Sequence, residues 1–165
     1  MDRENFVPFF INLKDKKILV IGAGKIAYRK VKSLLQYGGE VTIVTKGIEK
    51  EAFNELFKEY NINVKIDSLS LEPTILELQL KELDIDSYFM VVAASDCKEL
   101  NSLIYKYCDK RNILVNNITS QEEMNTRFCK HFQGENFKIG ISGGGDPKVA
   151  KAIEEKLISF INKGE

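Results

Sequence analysis

The feature that most constrains this chain is a turn near its start, Gly22-Ala23-Gly24-Lys25-Ile26-Ala27. Before it runs Lys17-Ile18-Leu19-Val20-Ile21, a short apolar segment that reads as a buried parallel strand. After it, Ile26, Ala27, Val31, Leu34 and Leu35 recur at helical spacing until Gly38-Gly39 stops the helix. Val41-Thr42-Ile43-Val44 is then a second strand. A Gly-x-Gly-x-x-Ala turn in that setting has a physical cause. Gly22 permits the tight turn, Gly24 lets a pyrophosphate approach the backbone, and Ala27 keeps helix and strand close. The helix N-terminus adds free N–H groups and the positive end of a dipole. Any tight strand-to-helix turn also uses glycine, so the flanking elements are what make this a dinucleotide fingerprint.

The alternation continues beyond the fingerprint. Residues 48 to 60 read as a helix with Ala52, Phe53, Leu56 and Phe57 inward, 63 to 66 as a weaker strand, and 73 to 83 as a helix. Tyr88 to Ala94 is the most apolar run and reads as a central strand, with Ile113-Leu114-Val115 as a fifth. Between them Leu100, Leu103, Ile104, Tyr107 and Cys108 mark one stripe of a helix. Past Asn116 the rhythm changes. Residues 117 to 136 are polar and irregular, Phe137 to Ser142 is a strand, and Gly143-Gly144-Gly145 leads into a last helix capped by Asp146 with Pro147 at its first position. Val149, Ile153, Leu157 and Phe160 or Ile161 form the apolar face of that helix. The expected fold is α/β, a Rossmann-type doubly wound parallel sheet with a small C-terminal α+β dimerisation segment. The expected division is a dinucleotide-binding domain over 1–116 and a dimerisation and substrate-side segment over 117–165.

Composition narrows the function classes. Lys plus Arg and Asp plus Glu are equal at 24 each, which gives no support for nucleic-acid or membrane-surface binding. Cys97, Cys108 and Cys129 are odd in number and lack CxxC spacing, which argues against a disulfide framework and a structural zinc site. The first residues, Met-Asp-Arg-Glu-Asn, are too polar for a signal peptide, and no run approaches a membrane span. A cytoplasmic protein without metal, nucleic-acid or membrane partners is expected.

Candidate ligand positions follow from the topology, because open parallel sheets bind ligands beyond the carboxyl ends of their strands. Lys25 and Ile26 belong to the glycine turn. The second strand ends Val44-Thr45-Lys46, where a site of this type usually has Asp or Glu for the ribose. Thr45 could bond that ribose and Lys46 could face a 2′-phosphate, so NAD is expected with NADP left open. Ser95 and Asp96 end the central strand beside the cofactor. Asp96 could equally cap the helix beginning near Lys98. His131 reads as a surface residue and Cys97 as an inert thiol. Arg29 and Lys30 read as a solvated helix face, and Arg127 is the better carboxylate clamp.

Taken in order, several motifs resemble one family. They are Phe9-Phe10-Ile11-Asn12-Leu13, the Gly22 to Lys30 turn and helix, Val91 to Asp96 with Glu99-Leu100-Asn101, Ile113 to Asn116, and Ile139 to Pro147. Together they resemble the precorrin-2 dehydrogenase family, which includes the N-terminal module of siroheme synthase. The resemblance implies oxidation of precorrin-2 to sirohydrochlorin by hydride transfer to NAD, a tetrapyrrole substrate rich in carboxylates, and a homodimer. Some members also insert iron. It places Asn116 and Thr119 at the reacting centre and Arg127, Ser142 and Gly143 on the substrate side. Two departures matter. Thr119 stands where the family carries its key aspartate, and a threonine hydroxyl does not ionise near neutral pH. Glu122 or Glu123 could replace it after a small loop shift. Family members also commonly continue into a small helical domain, so the part that covers the macrocycle is expected to be incomplete. The rival expectation is a catalytically weakened relative that binds dinucleotide or tetrapyrrole as a sensor, carrier or enzyme partner.

Overall fold

A computed structural model of the chain describes residues 5–48 and 50–161. The polar start at Met1–Glu4, Glu49 within the expected second helix, and residues 162–165 lie outside the described residues. Two compact units form, one spanning Ile11–Thr126 and the other combining residues up to Phe10 with those from Arg127 onward.

The larger unit carries five strands, β1 (Lys17–Ile21), β2 (Glu40–Thr45), β3 (Asn63–Ile66), β4 (Met90–Ala93) and β5 (Leu114–Asn117). All pair in parallel, in the order β3-β2-β1-β4-β5. Parallel neighbours need crossovers, and helices α1 (Lys25–Gln36), α2 (Lys50–Glu59), α3 (Pro73–Glu82) and α4 (Lys98–Asp109) supply them. The strand order reverses between β1 and β4, which is the switch point where a doubly wound sheet opens a crevice. Ile18, Leu19, Val20, Val91 and Val92 are fully buried, as strands covered on both faces require. Gly38, at φ +81°, ends α1, with its N–H donating to Leu35 at 2.9 Å and that of Gly39 to Leu34 at 3.0 Å. Burial pushes the Cys108 thiol up to about 12, so it behaves as a core hydrophobe.

Several boundaries differ from the sequence reading. Ala52 faces outward while Phe53 and Leu56 carry the buried side of α2. The fourth strand is only Met90–Ala93, because a one-turn 3₁₀ segment at Ile85–Ser87 leads into it. β5 extends through Asn117, since Ile118 N–H still donates to Ala93 carbonyl at 3.1 Å. Asp96 does not cap α4. Cys97 holds the N-cap position, and its N–H donates to Ser95 Oγ at 3.2 Å.

The smaller unit holds an antiparallel hairpin, β6 (Lys130–Gln133) and β7 (Lys138–Ile141), followed by α5 (Pro147–Ile161). β6 falls inside the stretch read as irregular, because its Lys-His-Phe-Gln sequence has one apolar residue and no visible alternation. Asp146 does cap α5, accepting from Lys148 N–H at 2.8 Å. Gly143 is required by packing, since a Cβ there would strike the Asp146 carbonyl and the Ala150 amide. The apolar face of α5 is open: Val149 and Ile153 are exposed, and Ala150 is the helix's buried residue.

Candidate cofactor site

The glycine turn sits at the C-terminal end of β1, at the switch point. Gly22 has φ +109°, and a Cβ there would collide with the carbonyl of Ala94 at the end of β4. Two separate reasons, backbone sign and close approach, therefore demand glycine. Gly24 is different. A Cβ at that position meets no atom within 4 Å, so the space before it is open. Ala27 is fully buried under α1, which keeps the helix against the sheet. Gly24 is the N-cap of α1, no side chain caps the helix, and no acidic residue lies in its first turn. Its first N–H groups and dipole end thus remain for an anion.

In front of this turn lies a cavity of about 950 Å³, within the range of small-molecule sites. Gly22, Gly24, Lys25, Tyr28, Thr45, Lys46, Ser95 and Asp96 line it, as do Leu69, Leu100 and Cys97. It passes from the open space at Gly24 to the β2 and β3 ends on one side and the β4 end on the other. These features fit a dinucleotide: open backbone and a helix terminus for pyrophosphate, with apolar walls flanking it.

The chain matches the NAD(P)-binding family over residues 9–130. That span holds the turn, the cavity and every strand of the parallel sheet. The chain belongs to the NAD(P)-binding family. Among curated proteins, the siroheme synthase of Blochmanniella floridana is 32% identical over 158 residues, covering 94% of this chain and 32% of that protein. The siroheme synthase of Photorhabdus laumondii is also 32% identical, over 95% of this chain and 31% of its own length. The chain spans about a third of the length of these relatives. Among solved structures, SirC, a precorrin-2 dehydrogenase, is similar with a TM-score of 0.72 and 28% identity, over 93% of this chain and 70% of that one.

Within this NAD(P)-binding chain, the sequence-derived residues fall into distinct places. Ile26 is half exposed and outside the cavity lining. Thr45 lines the cavity, but its hydroxyl donates to Gly47 carbonyl at 2.7 Å. Sequence reasoning missed Glu51, Glu55 and Asp67, which line the same end. Asp67 directly follows β3, which is a signal of the same kind as an acidic residue ending β2. Lys30 is more enclosed than a solvated helix face: burial lowers its ammonium to about 8.

At the ends of β4 and β5 lies a polar network. Asn101 on α4 is fully buried. Its Oδ1 accepts from Ser95 N–H at 3.1 Å and Ser95 Oγ at 2.8 Å. Its Nδ2 donates to Ser95 carbonyl at 3.0 Å and Thr119 Oγ1 at 3.3 Å. Thr119 in turn donates its hydroxyl to Asn117 Oδ1 at 2.8 Å and its N–H at 2.9 Å. That backbone donor fixes the orientation of the Asn117 amide, and its Nδ2 is a buried donor with no partner. Asn116 donates to Thr126 carbonyl at 2.9 Å, while its Oδ1 is likewise buried and unpaired. Glu123 accepts from Ser102 Oγ at 2.7 Å, and Glu122 is exposed.

In the smaller unit, the Arg127 guanidinium lies 4.3 Å from the Phe6 ring centroid. Ser142 Oγ accepts from Gly144 N–H at 3.4 Å, and Gly143 carbonyl from Asp146 N–H at 3.0 Å. His131 is exposed on β6. Among the described residues no group of three or more His, Cys, Asp or Glu side chains could hold a metal, and no helix is long and apolar enough to cross a membrane.

Proposed function

We propose that this chain oxidises precorrin-2 to sirohydrochlorin, with NAD as hydride acceptor, in siroheme or related tetrapyrrole synthesis. One observation carries the reading: the open cavity between Gly24 and Ser95 at the β1/β4 switch point, in a chain similar to a precorrin-2 dehydrogenase over 93% of its length. Gly22 shapes the turn, Gly24 and Lys25 hold the pyrophosphate, and Ser95 and Asp96 frame the nicotinamide end. NAD held there would supply the hydride acceptor, with the substrate's proton leaving to solvent. NAD is favoured over NADP because Glu51, Glu55 and Asp67 bring three carboxylates to the end that also holds Lys46. A 2′-phosphate there would meet more negative charge than positive.

Asn116 and Thr119 belong to the reacting side in this reading. The Thr119 hydroxyl already gives its one proton to Asn117 and accepts from Asn101. It orients neighbours and does not remove the substrate's proton. Turnover is therefore slow. Arg127, Ser142 and Gly143 serve the substrate's carboxylates from the smaller unit, and that unit pairs with a second copy.

Anaerobic spectroscopy of precorrin-2 oxidation with each cofactor tests the proposal. Slow oxidation with NAD, slower still with NADP, is expected. Thr119→Asp supplies a base at the family's position and raises turnover at least tenfold, within the ~10²- to 10⁴-fold such groups contribute. No oxidation by either form, with NAD still bound, would make the chain a binding module.

A further inference from the structure

We propose that Asn101 is a positioning residue that couples the cofactor cavity to the end of β5. The proposal rests on the cavity being the cofactor site, and it does not depend on which substrate is oxidised. Ser95 is part of the cavity wall. The Asn101 amide grips that residue on both edges, through Ser95 N–H and Oγ on its oxygen and Ser95 carbonyl on its nitrogen, at 2.8–3.1 Å. The amide therefore moves with Ser95. Its remaining donor reaches Thr119 at 3.3 Å.

Only a carboxamide satisfies both ends, since one edge must accept from Ser95 while the other donates to Thr119. A buried polar side chain with every bond made is also costly to disturb singly, so the shift passes on instead of being absorbed. Beyond Thr119 the chain of bonds ends on the Asn117 Nδ2, a fully buried donor without a partner. An arrangement in which that donor is satisfied would be better by the cost of an unmade bond, about 1–3 kcal/mol in general. Seating the cofactor against Ser95 thus biases the position of Thr119 through contiguous hydrogen bonds.

The test is a titration of the ¹⁵N-labelled full chain with NAD, read by NMR. In the wild type, the Asn101 side-chain NH₂ and the Thr119 backbone amide shift together and saturate with one Kd. Asn101→Asp keeps an acceptor for Ser95 N–H and Oγ and loses the donor to both the Ser95 carbonyl and Thr119. It binds NAD within about tenfold of wild type, as the loss of ordinary hydrogen bonds allows, while the Thr119 response disappears. Any nucleus close to bound NAD follows that same Kd, so the loss of the Thr119 response in Asn101→Asp is what separates coupling from proximity. The proposal is overturned if either wild-type signal stays silent as NAD saturates, or if Thr119 still responds in Asn101→Asp. Should that variant not fold, Thr119→Val, which takes no bond from Asn101, replaces it: the residue-119 amide then stays silent as NAD saturates, and a wild-type-like response overturns the proposal. A wild type that binds no NAD overturns the cavity reading together with this one.

Discussion

Gly22 and Gly24 belong to one motif but are glycines for opposite reasons. At Gly22 the protein itself fills the space, with φ at +109° and the Ala94 carbonyl against the missing Cβ. At Gly24 nothing of the protein is near, and the space is left for a ligand. Their variants should separate accordingly. Gly22→Ala adds a strained backbone and a collision in the sheet, so it should destabilise the fold by about 1–3 kcal/mol or more, read as a lower urea midpoint. An unchanged midpoint would mean the β1–β4 approach is looser than described. The fingerprint and the separate duties of its two glycines were legible as a motif, whereas the Ala94 carbonyl that bars a side chain at Gly22 was not. Spacing alone does not show which backbone atom stands against the turn. Asp96 is the converse case. Its position suggested a helix cap, but Ser95 reaches Cys97 N–H first, so the turn is closed by the serine.

Among the elements, β1, β2, β4 and β5 were readable because burial leaves apolar runs in them, while β3, an edge strand with a mostly exposed Asn-Val-Lys-Ile sequence, was legible only as a weaker one. β6 was not legible, since a two-stranded ribbon needs little burial and Lys130–Gln133 has one apolar side chain. The cap of α3 also escaped notice. Glu72 is its N-cap residue, and its carboxylate accepts from Ile75 N–H at 2.7 Å and Thr74 N–H at 3.2 Å. Those backbone bonds, Ile75 first, hold its carboxyl below the ordinary 4.5. The folded state thus binds this proton less readily than the unfolded chain. The cap's stabilisation is complete above the ordinary carboxylate range and fades as pH falls through the depressed folded value. Glu72→Gln should lower stability at neutral pH and flatten part of the acid-side slope. Urea midpoints measured from about pH 7 down to about pH 3 would show it. Parallel curves for wild type and variant would remove Glu72 as a source of that slope.

At the scale of the whole molecule, the smaller unit leaves several large apolar side chains exposed. Val149, Ile153, Ile158 and Phe160 are exposed on α5, and Val7, Phe9 and Phe10 in the N-terminal segment. A homodimer at micromolar concentration is the expected result by sedimentation, and Ile153→Asp should shift it toward monomer without altering NAD affinity. A wild-type monomer throughout that range would contradict pairing through this unit. The helical spacing of α5 was visible in the sequence, but spacing cannot say whether an apolar face meets its own chain or another. In the larger unit, the space before Gly24 is where the pyrophosphate of the cofactor is expected to sit. Isothermal titration of NAD into wild type and Gly24→Val tests it most directly, because the new side chain enters a volume where no protein atom stands. The variant should fold with an unchanged unfolding midpoint and bind NAD at least tenfold more weakly, a loss above ~1.4 kcal/mol. Equal affinity in both proteins would contradict that placement.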